Sequence, residues 1–266
     1  MKRIIISIIL PVLMEGKEII NHGCTTFMVI HPAIRNHGMC MILIKALAQK
    51  GYEMGIFCSY QTSHLKIGTN AVPLISYYLP VNLERSIELG FYYPDFFDPR
   101  QKTRNRLWYN PKLPKKSKYV KINQDNSGKG LQYYRESIDH KKFCFCPDKF
   151  LWEKWVKNFD TYLIYSDNRI CGIVSFNTIF CHIKETKKDG RLGVPVICNG
   201  NMDIVMPVLS TLAMKEGYDV LYFYGTGYSS VELNKYHFIK TENQVYFSLY
   251  NNSINLNIKD ISVPII

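Results

Sequence analysis

The chain has 266 residues, of which 47% are hydrophobic, 14% aromatic and 21% charged, with a formal net charge of +11. That length and apolar content suit one large or two modest globular domains with a sizeable core, and the 19 Tyr and 14 Phe exclude a disordered chain.

The first stretch, MKRIIISIILPVLMEG, has a basic start and an apolar run from Ile4 to Met14. The run is too short to cross a bilayer as a helix. No small-residue cleavage site precedes Glu15-Gly16-Lys17-Glu18. Its Ile and Val content reads as a buried strand, so a core strand is expected here, with no transmembrane segment and a cytoplasmic location. Residues 25–30 (TTFMVI) form the next strand, ending in the polar turn Arg35-Asn36-His37-Gly38. A helix is predicted over 38–50, with Met39, Ile42, Leu43, Ala46 and Leu47 on one face. Gly51 stands at its end, and YEMGIFCSY (52–60) reads as a strand. A short helix over 82–91 runs into Phe91.

The charge excess lies next. From Arg100 to Lys121 there are nine Lys or Arg and no acid. With Pro94, Pro99, Pro111 and Pro114, the stretch 92–121 reads as a solvated basic linker. No nucleic-acid motif accompanies it, and no specific nucleic-acid partner is expected. Beyond it, a helix at 149–157 carries Trp152 and Trp155, and strands lie near 161–166, 170–181, 192–199 and 244–250. A helix over 203–217 has Asp203 near its start, Pro207 in its first turns and Gly217 at its end, followed by the strand YDVLYFYG (218–225).

Two junctions repeat. AQKGYEMGIF (48–57) and AMKEGYDVLYF (213–223) are nearly one phrase, and NLERSIELGF (82–91) and SSVELNKYHF (229–238) both read as a short helix running into Phe. This predicts a duplicated α/β (α+β) unit with a mixed, mostly antiparallel sheet. The first copy is shortened at its front, and the halves divide at 1–95 and 96–266. The eight cysteines are scattered, mostly in apolar runs, and Cys144-Phe-Cys146 is their closest pair. There is no CxxC and no half-site spacing for a metal, so no metal is expected and a reducing compartment suits the chain.

The chemistry points to the turn at 35–40. A helix N-terminus offers unpaired N–H groups and a positive dipole end, which bind phosphates. Gly38 admits a phosphate to the backbone, and Arg35 adds charge.

A set of ordered segments gives a family resemblance. They are Phe27-Met28-Val29-Ile30-His31; Ile34-Arg35-Asn36-His37; Ile42-Leu43-Ile44-Lys45; Tyr77-Tyr78 with Asn82 and Ile87-Glu88-Leu89-Gly90-Phe91; Arg106 to Pro114; Val174-Ser175-Phe176 with Thr178; and Lys215 with Gly217-Tyr218-Asp219-Val220. In this order, over nearly the whole chain, they resemble glycylpeptide N-myristoyltransferase, of the GCN5-related acyltransferase superfamily, shortened at the N-terminus. The resemblance implies two acetyltransferase-like units related by a pseudo-twofold repeat. It implies transfer of myristate from myristoyl-CoA, a co-substrate, to the N-terminal glycine of protein substrates. The backbone amides of Phe27 and Met28 would stabilise the oxyanion, and the C-terminal carboxylate of Ile266 would be the base. Phe27, Met28, Val29, Ile30, Arg35, Asn36, His37, Gly38, Met39 and Cys40 would hold the acyl-CoA, and Tyr60, Thr62, Tyr77 and Ser175 the peptide.

The sequence departs from the family at several points. His37 and Gly38 stand in place of cations, Leu79 in place of a histidine, and Tyr224 to Tyr228 in place of a segment whose acid receives a substrate lysine. A non-catalytic relative that binds acyl-CoA or a myristoyl peptide is the alternative. The Ile, Asn, Lys and Tyr bias suits an AT-rich, viral or parasitic genome.

Overall fold

The computed structural model describes residues 4–14, 18–29, 39–56, 58–63, 66, 71–91, 113–183, 187–225, 228–250 and 256–263. Strand β1 (Ile4–Met14) pairs antiparallel with β2 (Glu18–Val29), and helix α1 (Met39–Glu53) crosses over to β3 (Cys58–Ser63). Strand β4 (Val72–Pro80) and helix α2 (Leu83–Glu88) follow. The chain continues through β5 (Ser117–Lys121), α3 (Ser127–Ile138), β6 (Phe143–Phe145), α4 (Lys149–Asn158), β7 (Asp160–Ser166), β8 (Arg169–Ile183) and β9 (Lys188–Gly200). It ends with α5 (Met202–Lys215), β10 (Val220–Tyr224), α6 (Ser230–Lys235), β11 (Ile239–Tyr250) and β12 (Ile261–Ser262).

These strands form one sheet in the order β12-β6-β1-β2-β3-β11-β4-β10-β9-β8-β7-β5. Described neighbours are antiparallel except β2/β3, β9/β10 and β6/β12. The expected mixed, mostly antiparallel sheet with flanking helices is therefore present. Strand β11 lies between β3 and β4, and β4 lies between β11 and β10. A strand from late in the chain thus separates two early ones.

Strand alternation distributes the apolar side chains. On β7, Leu163 joins one core while Tyr162 and Ile164 join the other; on β8, Ile173 and Val174 divide the same way. One core gathers Tyr60, Phe143, Phe247 and Val263 beneath Tyr134 of α3 and Trp152 and Trp155 of α4. The other gathers Tyr77, Phe176 and Phe223 beneath Met206, Leu209 and Leu212 of α5. Helix α4 starts where Asp148 accepts from the Leu151 N–H at 2.7 Å, and Ser229 and Glu232 form a capping box on α6.

Three sequence expectations change. Helix α1 does not stop at Gly51 but runs through Glu53, whose carboxylate reaches Lys50 and Gln49, both at 3.3 Å. Gly55, at φ +71°, makes the reversal that ends the turn. The strand expected from residue 52 consequently begins at Cys58. Of the residues expected on one apolar face of this helix, Ile42 is 56% exposed and Ala46 is exposed, so neither is a core residue. Finally, the end of the basic stretch is the edge strand β5, whose Lys121 binds Asp160 of β7 at 2.5 Å; residues 92–112 lie outside the described ones.

Phe143 is fully buried and packs against His22, Tyr60 and Phe247, with ring centroids 5.2, 5.8 and 5.6 Å away. Phe143→Ala is expected to cost about 3–5 kcal/mol. Urea unfolding would show this as a lower midpoint at unchanged m-value.

Candidate functional site

Strands β2 and β3 pair in parallel only where His22, Cys24 and the glycine between them face Cys58 to Tyr60. Beyond that seam β2 continues to Val29 against β1, and β3 continues to Ser63 against β11. The two strands therefore part and open a wedge within the sheet. Residues 25–29 have no strand partner on that side among the described residues. The β1 register shifts here: Ile6 faces Phe27 and Ser7 faces Thr25, leaving Thr26 as a bulge. A bulge bends its strand and re-aims the backbone groups beside it. Phe27, Met28 and Val29 follow directly, at the open end of the wedge.

The structure places the remaining expected site residues as follows. Met39 and Cys40 are the first two residues of α1. Ile30, Arg35, Asn36, His37 and Gly38 lie outside the described residues, as does Ile266. Thr62 lies on the open part of β3, paired with Phe247 of β11. Tyr60 sits at the end of the seam opposite Cys24 and is buried. Tyr77 lies on β4, with its hydroxyl 2.5 Å from Ser230 Oγ. Ser175 lies on β8, fully buried, where it accepts from Trp155 Nε1 at 3.1 Å and shares a hydrogen bond with Thr161 at 2.8 Å. Both Tyr77 and Ser175 are thus engaged within the framework. Strand β12 runs parallel to β6, which is antiparallel to β1, so Ile261 and Ser262 run in the direction of β2. Val263 packs into the core that holds Cys24 and Tyr60.

The seam holds a polar group without a motif to announce it. His22 and Cys24 are two residues apart on β2, and Tyr60 faces Cys24, so the three share one face of the sheet. His22 Nδ1 lies 3.1 Å from the Ile20 carbonyl. A carbonyl only accepts, so the proton sits on Nδ1 and Nε2 keeps a lone pair. Among the described residues Nε2 meets no hydrogen-bond partner, and the Tyr60 hydroxyl, with no oxygen or nitrogen partner, faces the Cys24 thiol. Burial lowers the His22 pKa and raises those of Cys24 and Tyr60. All three are therefore held neutral near pH 7. Sequence reading passed over His22 and Cys24, because a lone histidine within a strand carries no spacing signal; Tyr60 it reached only through the family resemblance.

A second wedge lies farther along the sheet. Strands β9 and β10 pair in parallel only at Leu192–Val220 and Gly193–Leu221. Strand β9 then continues against β8, and β10 against β4. The β8–β9 register shifts between Ser175 and Phe176, leaving Val196 as a bulge. In this wedge the Tyr228 hydroxyl donates to the Cys198 carbonyl.

Among the described residues no three His, Cys, Asp or Glu side chains gather to hold a metal ion, and no helix is long and apolar enough to cross a membrane. The described cysteines form no disulfide.

No protein-family model matches the sequence, and no curated protein matches it. Solved structures do. Saccharomyces cerevisiae N-myristoyltransferase with bound myristoyl-CoA superposes with a TM-score of 0.82 at 15% identity, covering 99% of this chain and 67% of that one. The same yeast enzyme with myristoyl-CoA and inhibitors gives 0.80 at 15% identity, covering 99% and 68%. A GCN5-related N-acetyltransferase from Anabaena variabilis gives 0.51 at 13% identity, covering 91% and 58%. The chain has the N-myristoyltransferase fold, of GCN5-related type.

The buried neutral imidazole has a consequence for stability. With its folded pKa below the unfolded value of 6.5, the unfolded chain takes up the proton first, so stability is full above pH 6.5 and falls as the pH drops below it. His237, also depressed by burial, acts with the same sign. His22→Asn keeps a donor for Ile20 and cannot titrate. It is expected to flatten the fall in melting temperature between pH 7 and pH 5, measured by calorimetry.

Proposed function

We propose that this chain transfers a long acyl group, myristoyl, from its CoA thioester to the amino group of an N-terminal glycine. The observation that carries the reading is the β2–β3 wedge, with its bulge at Thr26, in a chain that has the N-myristoyltransferase fold.

Acyl transfer from a thioester develops negative charge on the carbonyl oxygen. Preorganised backbone N–H groups stabilise that charge without reorganisation. Counting from the bulges supports Met28 as one donor. Cys198 is two residues past the Val196 bulge, and its carbonyl turns away from β8 to meet Tyr228. In an antiparallel ladder the N–H and C=O of one residue turn to the same side. Met28 is two residues past Thr26 and faces Ile5 as Cys198 faces Val174. On this count its amide turns into the first wedge. The count does not reach Phe27, whose part as the second donor rests on the resemblance alone.

The remaining roles rest on the resemblance. The segment from Arg35 to Cys40, ending at the start of α1, holds the CoA phosphates at a helix N-terminus. The nucleophile must be the neutral amine, whose pKa is about 7.7–8.0. The base is the Ile266 carboxylate, and burial among Val263 and its apolar neighbours raises its basicity. The direction of β12, toward the parting of β2 and β3, supports that placement. Tyr60 and Thr62 belong to the β3 side of the wedge. Tyr77 and Ser175, engaged internally, shape the peptide region through the framework.

Two units compose the chain in this reading, 1–95 and 96–266. The succession β1-β2-α1-β3 corresponds to β8-β9-α5-β10. A pseudo-twofold axis passes between β11 and β4, strands that the units exchange. A binding-only reading is favoured by one feature, His37 and Gly38 in place of two cations of the phosphate grip.

Mass spectrometry decides between the two. The purified chain, with myristoyl-CoA and glycine-starting peptides, is expected to add one myristoyl mass to the peptide. A chain extended by several residues past Ile266 is expected to lose about 10²–10⁴ of the rate. Saturable myristoyl-CoA binding without transfer to any peptide establishes the binding-only relative. Neither binding nor transfer overturns both readings.

A further inference from the structure

We infer that the phenol of Tyr228 is a built-in occupant of the second wedge. It stands where the first wedge would receive an acyl carbonyl, and it leaves the chain one donor site rather than two. The inference rests on the acyl-transfer reading for the first wedge; the occupancy of the second stands on its own geometry.

Both wedges have the same construction. An antiparallel pair carries a bulge in its second strand, a helix follows, and a parallel strand pairs briefly before it parts. Opening such a wedge exposes backbone groups inside a sheet, and buried backbone groups need partners. In the second wedge the exposed acceptor is the Cys198 carbonyl, the counterpart of Met28 by count from the bulge. The Tyr228 hydroxyl supplies the missing donor. Its ring packs on Phe223 of β10, with centroids 5.8 Å apart, so the side chain bridges both arms of the opening.

The described residues that flank Tyr228 are fixed in place. The Gly225 N–H donates to the Ile75 carbonyl at 3.1 Å. A Cβ on Gly225 would come within 2.9 Å of the Tyr77 ring, so a side chain there would disturb the approach of Gly225 to β4. On the far side, the capping box at Ser229 starts α6 immediately after Tyr228. The phenol is held from both directions.

The second wedge also lacks an anion berth. Helix α5 begins at Met202, directly after β9, and the Asn201 side chain takes the Asp203 N–H at 3.0 Å. The Asp203 carboxylate occupies the first turn and binds Lys235 at 2.6 Å. A phosphate approaching that terminus would meet a carboxylate and an amide already capped. The occupant suited to this wedge is an uncharged, apolar group tipped with one hydrogen-bond donor, and a phenol meets that description.

The test uses the full chain with Tyr228→Phe and Tyr228→Ala, and p-cresol and toluene as probes. Tyr228→Phe keeps the ring and removes the donor, and is expected to lower the melting temperature by about 2–4 °C. Tyr228→Ala should lower it further. Millimolar p-cresol should restore more of that loss than toluene does, with no such difference in the wild type. Wild type and Tyr228→Phe should each bind one myristoyl-CoA per chain by calorimetry. A Tyr228→Phe chain as stable as wild type overturns the inference, even if the alanine variant fails to fold. So does equal rescue of Tyr228→Ala by the two probes, or two donors bound per wild-type chain. Absence of any myristoyl-CoA binding, with p-cresol still selective, removes the acyl-transfer reading and leaves the phenol in place.

Discussion

The parallel seam between β2 and β3 is the constraint on which the rest depends. Parallel neighbours need a crossover connection, and α1 supplies it on the way from one strand to the other. The seam extends only to Cys24 and Tyr60. Each strand has a firmer antiparallel partner on its other side, β1 for β2 and β11 for β3. Sheet twist turns neighbouring strands apart, and the bulge at Thr26 adds to the bend. Parting is the outcome of that competition. It leaves backbone groups of a central strand facing an opening, which a folded chain tolerates where a ligand or a side chain can meet them.

The order of the strands keeps this opening from dividing the molecule. Strand β4 comes from early in the chain and pairs with β10; β11 comes from late in the chain and pairs with β3. The central β4–β11 pair therefore joins segments far apart in sequence. A side-chain hydrogen bond reinforces it, Ser76 with Thr241 at 2.6 Å, and Tyr77 ties β4 to Ser230 of α6 at 2.5 Å. Because the strands alternate, the sheet buries apolar side chains on both faces, and α3 and α4 cover one core while α5 covers the other. Two wedges in one continuous sheet can then meet different fates. Tyr228 fills one with its own side chain, while the other is bounded at its base by neutral His22, Cys24 and Tyr60.

Much of this was legible where local chemistry decides. The helix around Trp152 and Trp155, the strand pair on either side of Ser166, and the helix ending at Gly217 all lie where pattern and caps place them. Gly217 has the positive φ that its position after a helix calls for. Legibility failed where a choice depended on what lies opposite. Gly51 resembles a helix end but sits inside α1, because Glu53 still finds partners one turn back. Helix α3, where no element is expected from the sequence, opens Ser127-Gly128-Lys129-Gly130. A Cβ on Gly130 would come within 2.7 Å of the end of the Ile122 side chain, a neighbour that no local pattern reveals. The alignment of Cys24 with Tyr60 is of the same kind, since periodicity puts His22 and Cys24 on one face without saying which strand lies beside them.

The sequence by itself determined the alternation of strand and helix, the near-repeat of its two junctions, the fold resemblance, and the turn after residue 30 as the place to look for chemistry. These follow from side-chain periodicity, capping and glycine placement, all of which act over a few residues. Tertiary structure alone decided where β2 and β3 part, that Thr26 bulges, and that β4 and β11 cross between early and late segments. It also decided that the hydroxyl of Tyr228 reaches the carbonyl of Cys198. Those features arise from competition among strands for partners distant along the chain, and twist and packing in three dimensions settle that competition.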